Sequence, residues 1–383
     1  MSVRKIFIIA GESSGDVLGA DLIRSLLAVD PETEIRGIGG ERMLEAGLKS
    51  SFFPMDELSV MGIAEILPKV PKFIGLIRKT VDAIKGFNPD VVVTIDSPDF
   101  SFRVQKALWK EGASAKRIHY VAPTVWAWRP DRARKIAQFL DGIICLFPFE
   151  VPYFEREGLR AISVGHPMVS SGLLSANGAA FRSRHEIGQD DLVLGLFCGS
   201  RRRELDMSLP IIREVVGFAR EKYPDLKFIV PTLPKWQSRL ADEFLDLPCV
   251  VTSDVSEKYE AFRACDAAMV VSGTVALEVA LAGVPHVLFY KMGAVTWEIV
   301  KRMVRTTFAH LGNILLDRAE YPEFIQENVV SDEIFATIAR FLDNRMEQRA
   351  RFSRLARQVL EEMQPNLNEK ASDLAASFII KNI

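Results

Sequence analysis

Short apolar runs alternate with amphipathic stretches along the whole chain. Runs at 5–10, 90–95, 117–122, 142–147 and 161–164 read as buried strands, and a second series follows at 192–197, 226–230, 249–251, 267–271 and 285–290. Between them apolar residues recur at helical spacing, as at 17–28, 101–111, 130–140, 206–222, 257–264 and 274–282. Strands that are apolar throughout, rather than at every second position, are covered on both faces. Repeated strand–helix–strand units of this kind predict parallel sheets between layers of helices. The polar stretch from Ser170 to Asp191, with Gly172, Gly178 and Gly188, separates the two series and reads as a domain junction. The expected fold is therefore α/β, with two Rossmann-like parallel-sheet domains (1–170 and 171–345) facing across a cleft. Beyond about residue 332 the pattern is purely helical. Helices in 346–383 are expected to cross back onto the N-terminal domain or onto the partner subunit of a homodimer.

Two stretches depart from this rhythm by mixing apolar and basic residues. In 60–81, Val60, Met61, Ile63, Ile66, Leu67, Val70, Phe73, Ile74, Leu76 and Ile77 are interleaved with Lys69, Lys72, Arg78 and Lys79, and Pro68 and Pro71 prevent one long helix. In 291–305, Val295, Trp297, Ile299, Val300, Met303 and Val304 accompany Lys291, Lys301, Arg302 and Arg305. Each reads either as a core-packing helix with solvated lysines or as an amphipathic surface on anionic lipid. One such segment in each half favours a membrane-facing surface.

Composition narrows the classes. A chain of 383 residues exceeds one core, as two domains require. A formal net charge of -2 gives no reason to expect nucleic acid. Cys145, Cys198, Cys249 and Cys265 show no C-x-x-C spacing, so neither a disulfide framework nor a thiolate metal site is expected. The histidines form no metal-binding pattern. No apolar run approaches bilayer length, so the expected location is cytoplasmic, free or peripheral on the cytosolic face of a membrane.

The candidate chemistry sits where strands turn into helices. Ser272-Gly273-Thr274 follows the apolar run Ala267 to Val271 and opens a helix. Such a turn aims free backbone N–H groups and the positive end of the helix dipole beyond the sheet, which suits phosphate. Glu278, one turn further on, is placed to accept hydrogen bonds from sugar hydroxyls. Cys198-Gly-Ser-Arg-Arg-Arg203 is a second turn of this kind, and arginine beside it suits a diphosphate through bidentate bonds. Arg201 and Ser200 are the candidates there, and Cys198 is assigned to packing. In the first half, Ala10-Gly-Glu-Ser-Ser-Gly-Asp16 lacks both G-x-G-x-x-G spacing and a Walker lysine. Glu12 and Ser13 are candidate ligand contacts, and Asp16 reads as the cap of the helix at 17–28. Asp96 ends the strand Val91 to Ile95 and is the candidate general base, with Asp99 as a helix cap. Trp126 and Trp128 read equally as a core plug or as the wall of a sugar or acyl site.

Taken together these motifs resemble the lipid-A-disaccharide synthases, inverting glycosyltransferases of the two-Rossmann-domain B architecture. The resemblance runs from about Ile6 to Glu327 through AGESSGD (10–16), VMGIAEIL (60–67), IDSPDF (95–100), HYVAPTVWAWR (119–129), LFPFE (146–150), GHPM (165–168), GSR (199–201) and SGTVALE (272–278). It implies that UDP-2,3-diacylglucosamine is joined to 2,3-diacylglucosamine 1-phosphate on the cytoplasmic face of the inner membrane, with no metal or other cofactor. It also implies that Asp96 and Arg201 are the essential residues, that Glu278 holds the donor nucleotide, and that Asn313 belongs to the substrate site. Two positions depart from the family pattern, with Cys198 where proline is common and Gly312-Asn313-Ile314-Leu315 in place of Pro-Asn-Leu-Leu. The rival readings are a UDP-N-acetylglucosamine epimerase or peptidoglycan glucosaminyltransferase of the same architecture, and a non-catalytic lipid- or nucleotide-binding protein.

Overall fold

The structure is a computed structural model that describes residues 4–59, 70–129, 131–271, 273–364 and 369–382. It divides into two compact units, Met1–Pro167 with Asn366–Ile383, and Met168–Pro365.

The sheet of the first unit contains β1 (Lys5–Ala10), β2 (Glu34–Ile38), β3 (Val91–Ile95), β4 (Lys116–Tyr120), β5 (Gly142–Cys145) and β6 (Arg160–Ser163). All pairs are parallel and the order is β2-β1-β3-β4-β5-β6. Alternate residues of β1 feed two separate cores. Ile6 and Ile8 pack with the helices Ser13–Val29 and Ala371–Lys381, and Phe7 and Ile9 pack with the helices Val70–Phe87 and Pro98–Lys110. Each such aliphatic or aromatic side chain contributes about 1.5–3 kcal/mol on burial, so both helical layers are needed to hold the sheet.

The second unit repeats the plan with β7 (Val193–Phe197), β8 (Lys227–Pro231), β9 (Cys249–Thr252), β10 (Ala267–Val271), β11 (His286–Tyr290) and β12 (Glu323–Ile325). The order is β12-β11-β10-β7-β8-β9, again wholly parallel. In each sheet the order reverses direction once, between β1 and β3 and between β7 and β10. The crevice outside the strand ends at such a switch point is where open parallel sheets take their ligands.

β2 and β12 do not stand out in the apolar pattern, and both are edge strands. β2 reads Glu-Ile-Arg-Gly-Ile, where a β-carbon on Gly37 would meet the Ile8 carbonyl oxygen at 1.8 Å. Glycine there is the condition for pairing with β1. The helix expected at 17–28 begins at Ser13, so Asp16 lies inside it rather than capping it. Its buried carboxylate instead accepts from the backbone N–H groups of Gly40 (2.7 Å), Arg42 (3.1 Å) and Met43 (3.1 Å), capping the short helix Glu41–Glu45.

The stretch 170–191 is anchored within the second unit. The buried Arg182 guanidinium donates to the carbonyls of Gly188, Asp191 and Ala264 and to the Asp266 carboxylate at 2.8 Å. Of the C-terminal residues, the helix Arg345–Met363 packs on the second unit, where Phe352 is fully buried beside Phe341. The helix Ala371–Lys381 packs on the first, where Ser25 Oγ donates to Asp373 at 2.6 Å.

The two basic-apolar segments differ. Residues 60–69, with Ile66 and Leu67, lie outside the described residues. In the helix Val70–Phe87, Leu76, Val81, Ile84 and Phe87 are buried, and Phe73 and Ile77 pack against the same core. Phe73 meets the Phe100 ring edge-on at 5.6 Å. Core packing is therefore the structural role of Phe73 and Ile77. In the helix Ala294–Met303, by contrast, neither Trp297, Val300 nor Met303 is buried, and Val304 beyond it is exposed. Among the described residues no helix is long and apolar enough to cross a membrane.

Candidate active site

At the switch point of the second sheet, the turns after β7 and β10 border a cavity of about 490 Å3. Ser200, Arg201, Gly273, Thr274 and Glu278 all line it, together with Glu204, Asp254 and Lys258. Ser272 lies outside the described residues. Gly273 stands before the first turn of the helix Thr274–Leu281, whose Glu278 is buried except at the cavity. Glu278 Oε1 accepts from Lys258 Nζ at 2.6 Å and from the Tyr259 hydroxyl at 3.1 Å.

The other turn is held by a residue the sequence reading did not single out. Glu204 Oε2 accepts from the backbone N–H groups of Ser200 (2.9 Å) and Arg201 (3.1 Å), and Arg201 Nη1 donates to Oε1 at 3.1 Å. Gly199 has φ +108°, and a β-carbon on it would meet Glu204 Cβ at 2.8 Å, so the turn needs glycine on both counts. The signal for Glu204 is present in the sequence. An acid three residues after the residue that precedes a helix commonly captures the free N–H groups there. Lys258 and Asp254 follow β9, a third strand end with no motif of its own. Cys198 is buried and desolvation drives its thiol far up, so packing is the role the structure gives it.

In the first unit, Glu12, Ser13 and Asp96 gather at the other switch point, after β1 and β3, which pair through Ala10 and Ile95. Glu12 and Ser13 are exposed at the start of the helix Ser13–Val29. Asp96 is half-buried, and the Ser14 hydroxyl approaches its carboxylate at 3.5 Å. The backbone here is strained, with Asp96 at φ +52°, Ser97 at +44° and, on the neighbouring turn, Val121 at +76°. Non-glycine residues in this region cost on the order of 1–3 kcal/mol each, and such strain gathers at functional sites. Bonds that hold it include those from Asp96 N–H to the Tyr120 carbonyl (2.9 Å), from Ser101 Oγ to the Asp96 carbonyl (2.7 Å) and from Ser97 N–H to the Asp96 carboxylate (2.8 Å).

The two tryptophans divide the readings left open for them. Trp126 packs edge-on to Phe149 and donates to the buried Glu150 at 3.0 Å, as a core plug does. Trp128 is 38% exposed, with the Arg129 guanidinium 4.6 Å from its ring centre. Asn313 is not among the residues that line the cavity. It is 1% exposed, and its amide is committed to the Tyr321 carbonyl, Glu323, and the N–H groups of Glu320 and Tyr321. These bonds tie down the loop before β12. Beside it, His310 Nδ1 accepts from Gly312 N–H, which leaves its Nε2 to donate to His286 at 2.8 Å, while His286 Nδ1 donates to the Val284 carbonyl. Burial keeps both rings neutral, with His286 lowered to about 4. His119 is likewise buried and lowered to about 3.

Two parallel-sheet units, each with its ligand-type turns at the switch point, define a two-Rossmann-domain enzyme of the glycosyltransferase B architecture. The fold resembles the UDP-GlcNAc 2-epimerase of Neisseria meningitidis over 99% of this chain and 100% of that one, with a TM-score of 0.64 and 13% identity. The lipid-A-disaccharide synthetase family pattern matches residues 6–378. A lipid-A-disaccharide synthase of Rhodospirillum centenum is 45% identical over 341 residues, 88% of this chain and 85% of the relative. Another, of Paramagnetospirillum magneticum, is 39% identical over 386 residues, 98% and 97%. The chain belongs to the lipid-A-disaccharide synthase family and is a hexosyltransferase.

One buried acid carries a pH dependence. Burial raises the Glu150 carboxyl to about 7, against donors at Trp126, Phe147 and Leu146 that pull it down. The folded chain thus holds this proton more tightly than the unfolded chain. The group's contribution to stability is full below its ordinary value of 4.5 and is lost as pH rises through about 7. Glu150→Gln, which cannot ionise, is expected to flatten the fall in unfolding free energy between about pH 4.5 and pH 7 in urea titrations. Curves that run parallel to those of the unaltered protein would contradict this.

Proposed function

We propose that the enzyme transfers 2,3-diacylglucosamine from UDP to 2,3-diacylglucosamine 1-phosphate, giving the β-1,6-linked disaccharide 1-phosphate and UDP. The observation that carries this reading is the cavity of the second unit, where two phosphate-type turns, Arg201 and the helix-borne Glu278 line one space. The donor's diphosphate lies on the turns at 199–201 and 273–274, and Glu278 holds the ribose. Arg201 and the N-terminal end of the helix Thr274–Leu281 offset the charge that grows on departing UDP. Asp96 takes the proton from the acceptor's primary hydroxyl as its oxygen attacks the anomeric carbon opposite the leaving group. The new C–O bond forms as the bond to UDP breaks, and the configuration inverts. Glu12 and Ser13, beside Asp96, hold the acceptor, and Trp128 forms a wall for its sugar or acyl chains. The named sequence relatives are synthases, which disfavours the epimerase and peptidoglycan readings.

The direct test supplies both acylated glucosamines to the purified protein and looks for disaccharide and UDP. UDP or an isomerised sugar released from donor alone would favour the epimerase instead. Asp96→Asn is expected to lower turnover by roughly 100- to 10,000-fold, the usual worth of a general base, while UDP binding stays unchanged by calorimetry. Near-normal turnover in this variant would remove Asp96 from the role.

Substrates with two acyl chains each support a location at a membrane surface, which in this reading is the cytoplasmic face of the inner membrane. The helix Ala294–Met303 and its flanks suit that contact, with Lys291, Lys301, Arg302 and Arg305 against Glu298 alone in 291–305. Near an anionic surface each basic residue is worth about 1 kcal/mol. The triple change Lys301→Glu, Arg302→Glu and Arg305→Glu is therefore expected to weaken binding to phosphatidylglycerol vesicles by at least roughly tenfold in sedimentation assays. Unchanged binding would assign the membrane contact elsewhere.

A further inference from the structure

The donor cavity presents an electrostatic conflict. Its described lining carries three carboxylates, Glu204, Asp254 and Glu278, against two cations, Arg201 and Lys258. Both cations are already paired, Arg201 with Glu204 at 3.1 Å and Lys258 with Glu278 at 2.6 Å. A nucleoside diphosphate brings further negative charge, and like charges at close range in a partly desolvated site repel strongly. A diphosphate that lies on the 199–201 turn meets donors that a carboxylate already holds.

Glu204 is the one whose donors coincide with those of the diphosphate. It takes the backbone N–H groups of Ser200 and Arg201, the Ser200 hydroxyl at 3.3 Å and the Arg201 guanidinium. These are two successive N–H groups of a glycine turn, a hydroxyl and an arginine, which is the donor set that a phosphate oxygen takes. The carboxylate is nearly enclosed, with its side chain 12% exposed, whereas Arg201 is 82% exposed. Glu278 competes for none of these four donors. A second small cavity of about 10 Å3 shares Glu204 and Val271 with the first and is also lined by Tyr290 and Lys291. That space is about one water's worth, and Tyr290, which lines it, lies near enough to feel the Glu204 charge.

We propose that Glu204 is an internal competitor for the donor's diphosphate: a diphosphate binds by displacing this carboxylate from the 199–201 turn and taking over its donors. The proposal rests on the donor-site reading given above and adds a specificity device to it. A ligand with two phosphate groups can outbid one carboxylate for the four donors, whereas a nucleoside without phosphate gains nothing from the exchange. The site is then selective for the charged nucleotide, and the turn's N–H groups are paired before and after the exchange.

Glu204→Gln is the informative change, because the amide keeps an acceptor for the helix end but loses the charge that competes. UDP and uridine binding to the full-length chain are measured by calorimetry and by ligand-observed NMR, with thermal unfolding recorded alongside. The expected result is UDP bound roughly tenfold tighter than by the unaltered protein, with uridine unchanged. UDP affinity unchanged, or UDP and uridine weakened together with a fall in Tm, would overturn the proposal and leave Glu204 as a helix cap. Failure of the unaltered protein to bind UDP at all would instead remove the donor-site reading on which it rests. Should Glu204→Gln not fold, Glu204→Ala, which removes the charge and the acceptor together, answers the same comparison: UDP bound more tightly with uridine unchanged supports the proposal, and unchanged UDP affinity overturns it.

Discussion

Burial of the central strands on both faces is the constraint from which the rest follows. Val91, Val92, Val93 and Ile95 of β3 are fully inaccessible, as are most residues of β7 and β10. Side chains at such positions can only pack. The one place where backbone N–H groups and polar side chains escape the core is where a strand ends and the next helix begins. The switch points then select two strand ends from each sheet, and those four ends carry Gly11 to Ser13, Asp96 to Ser97, Gly199 to Arg201 and Gly273 to Thr274.

The two units use their strand ends differently. In the second, the turns present N–H groups, and charges come in pairs that satisfy them locally, Glu204 with Arg201 and Glu278 with Lys258. In the first, two successive left-handed residues hold a half-buried carboxylate in place. The first arrangement suits an anion that arrives with its own charge. The second suits a base that must keep its orientation while a proton moves. An inverting sugar transfer needs one of each.

Much of this was legible in the residues because strong patterns and strong chemistry coincided. Every described strand except β2 and β12 shows as an apolar run, and the glycine-bearing turns after β7 and β10 announce their geometry. What escaped has physical reasons. β2 is broken by Glu34 and Arg36 and β12 is only Glu323 to Ile325, so neither makes an apolar run, and β2 owes its place to Gly37. Asn313 resembles a ligand residue by its motif, yet the loop folds back and spends all its hydrogen bonds internally. Phe73 and Ile77 read as membrane surface more readily than as core until the Phe100 ring is seen against Phe73 and both are seen packed on the same core. Lys258 reaches the cavity from a third strand end, a meeting that only tertiary structure creates.

The central claim is that the Ser200 and Arg201 N–H groups receive phosphate oxygens. Titrating UDP into 15N-labelled protein while following these two amides tests it most directly. The account predicts that both resonances shift in a saturable way, and that uridine leaves them in place. Saturable UDP binding that moves other amides and leaves these two where they were would contradict it.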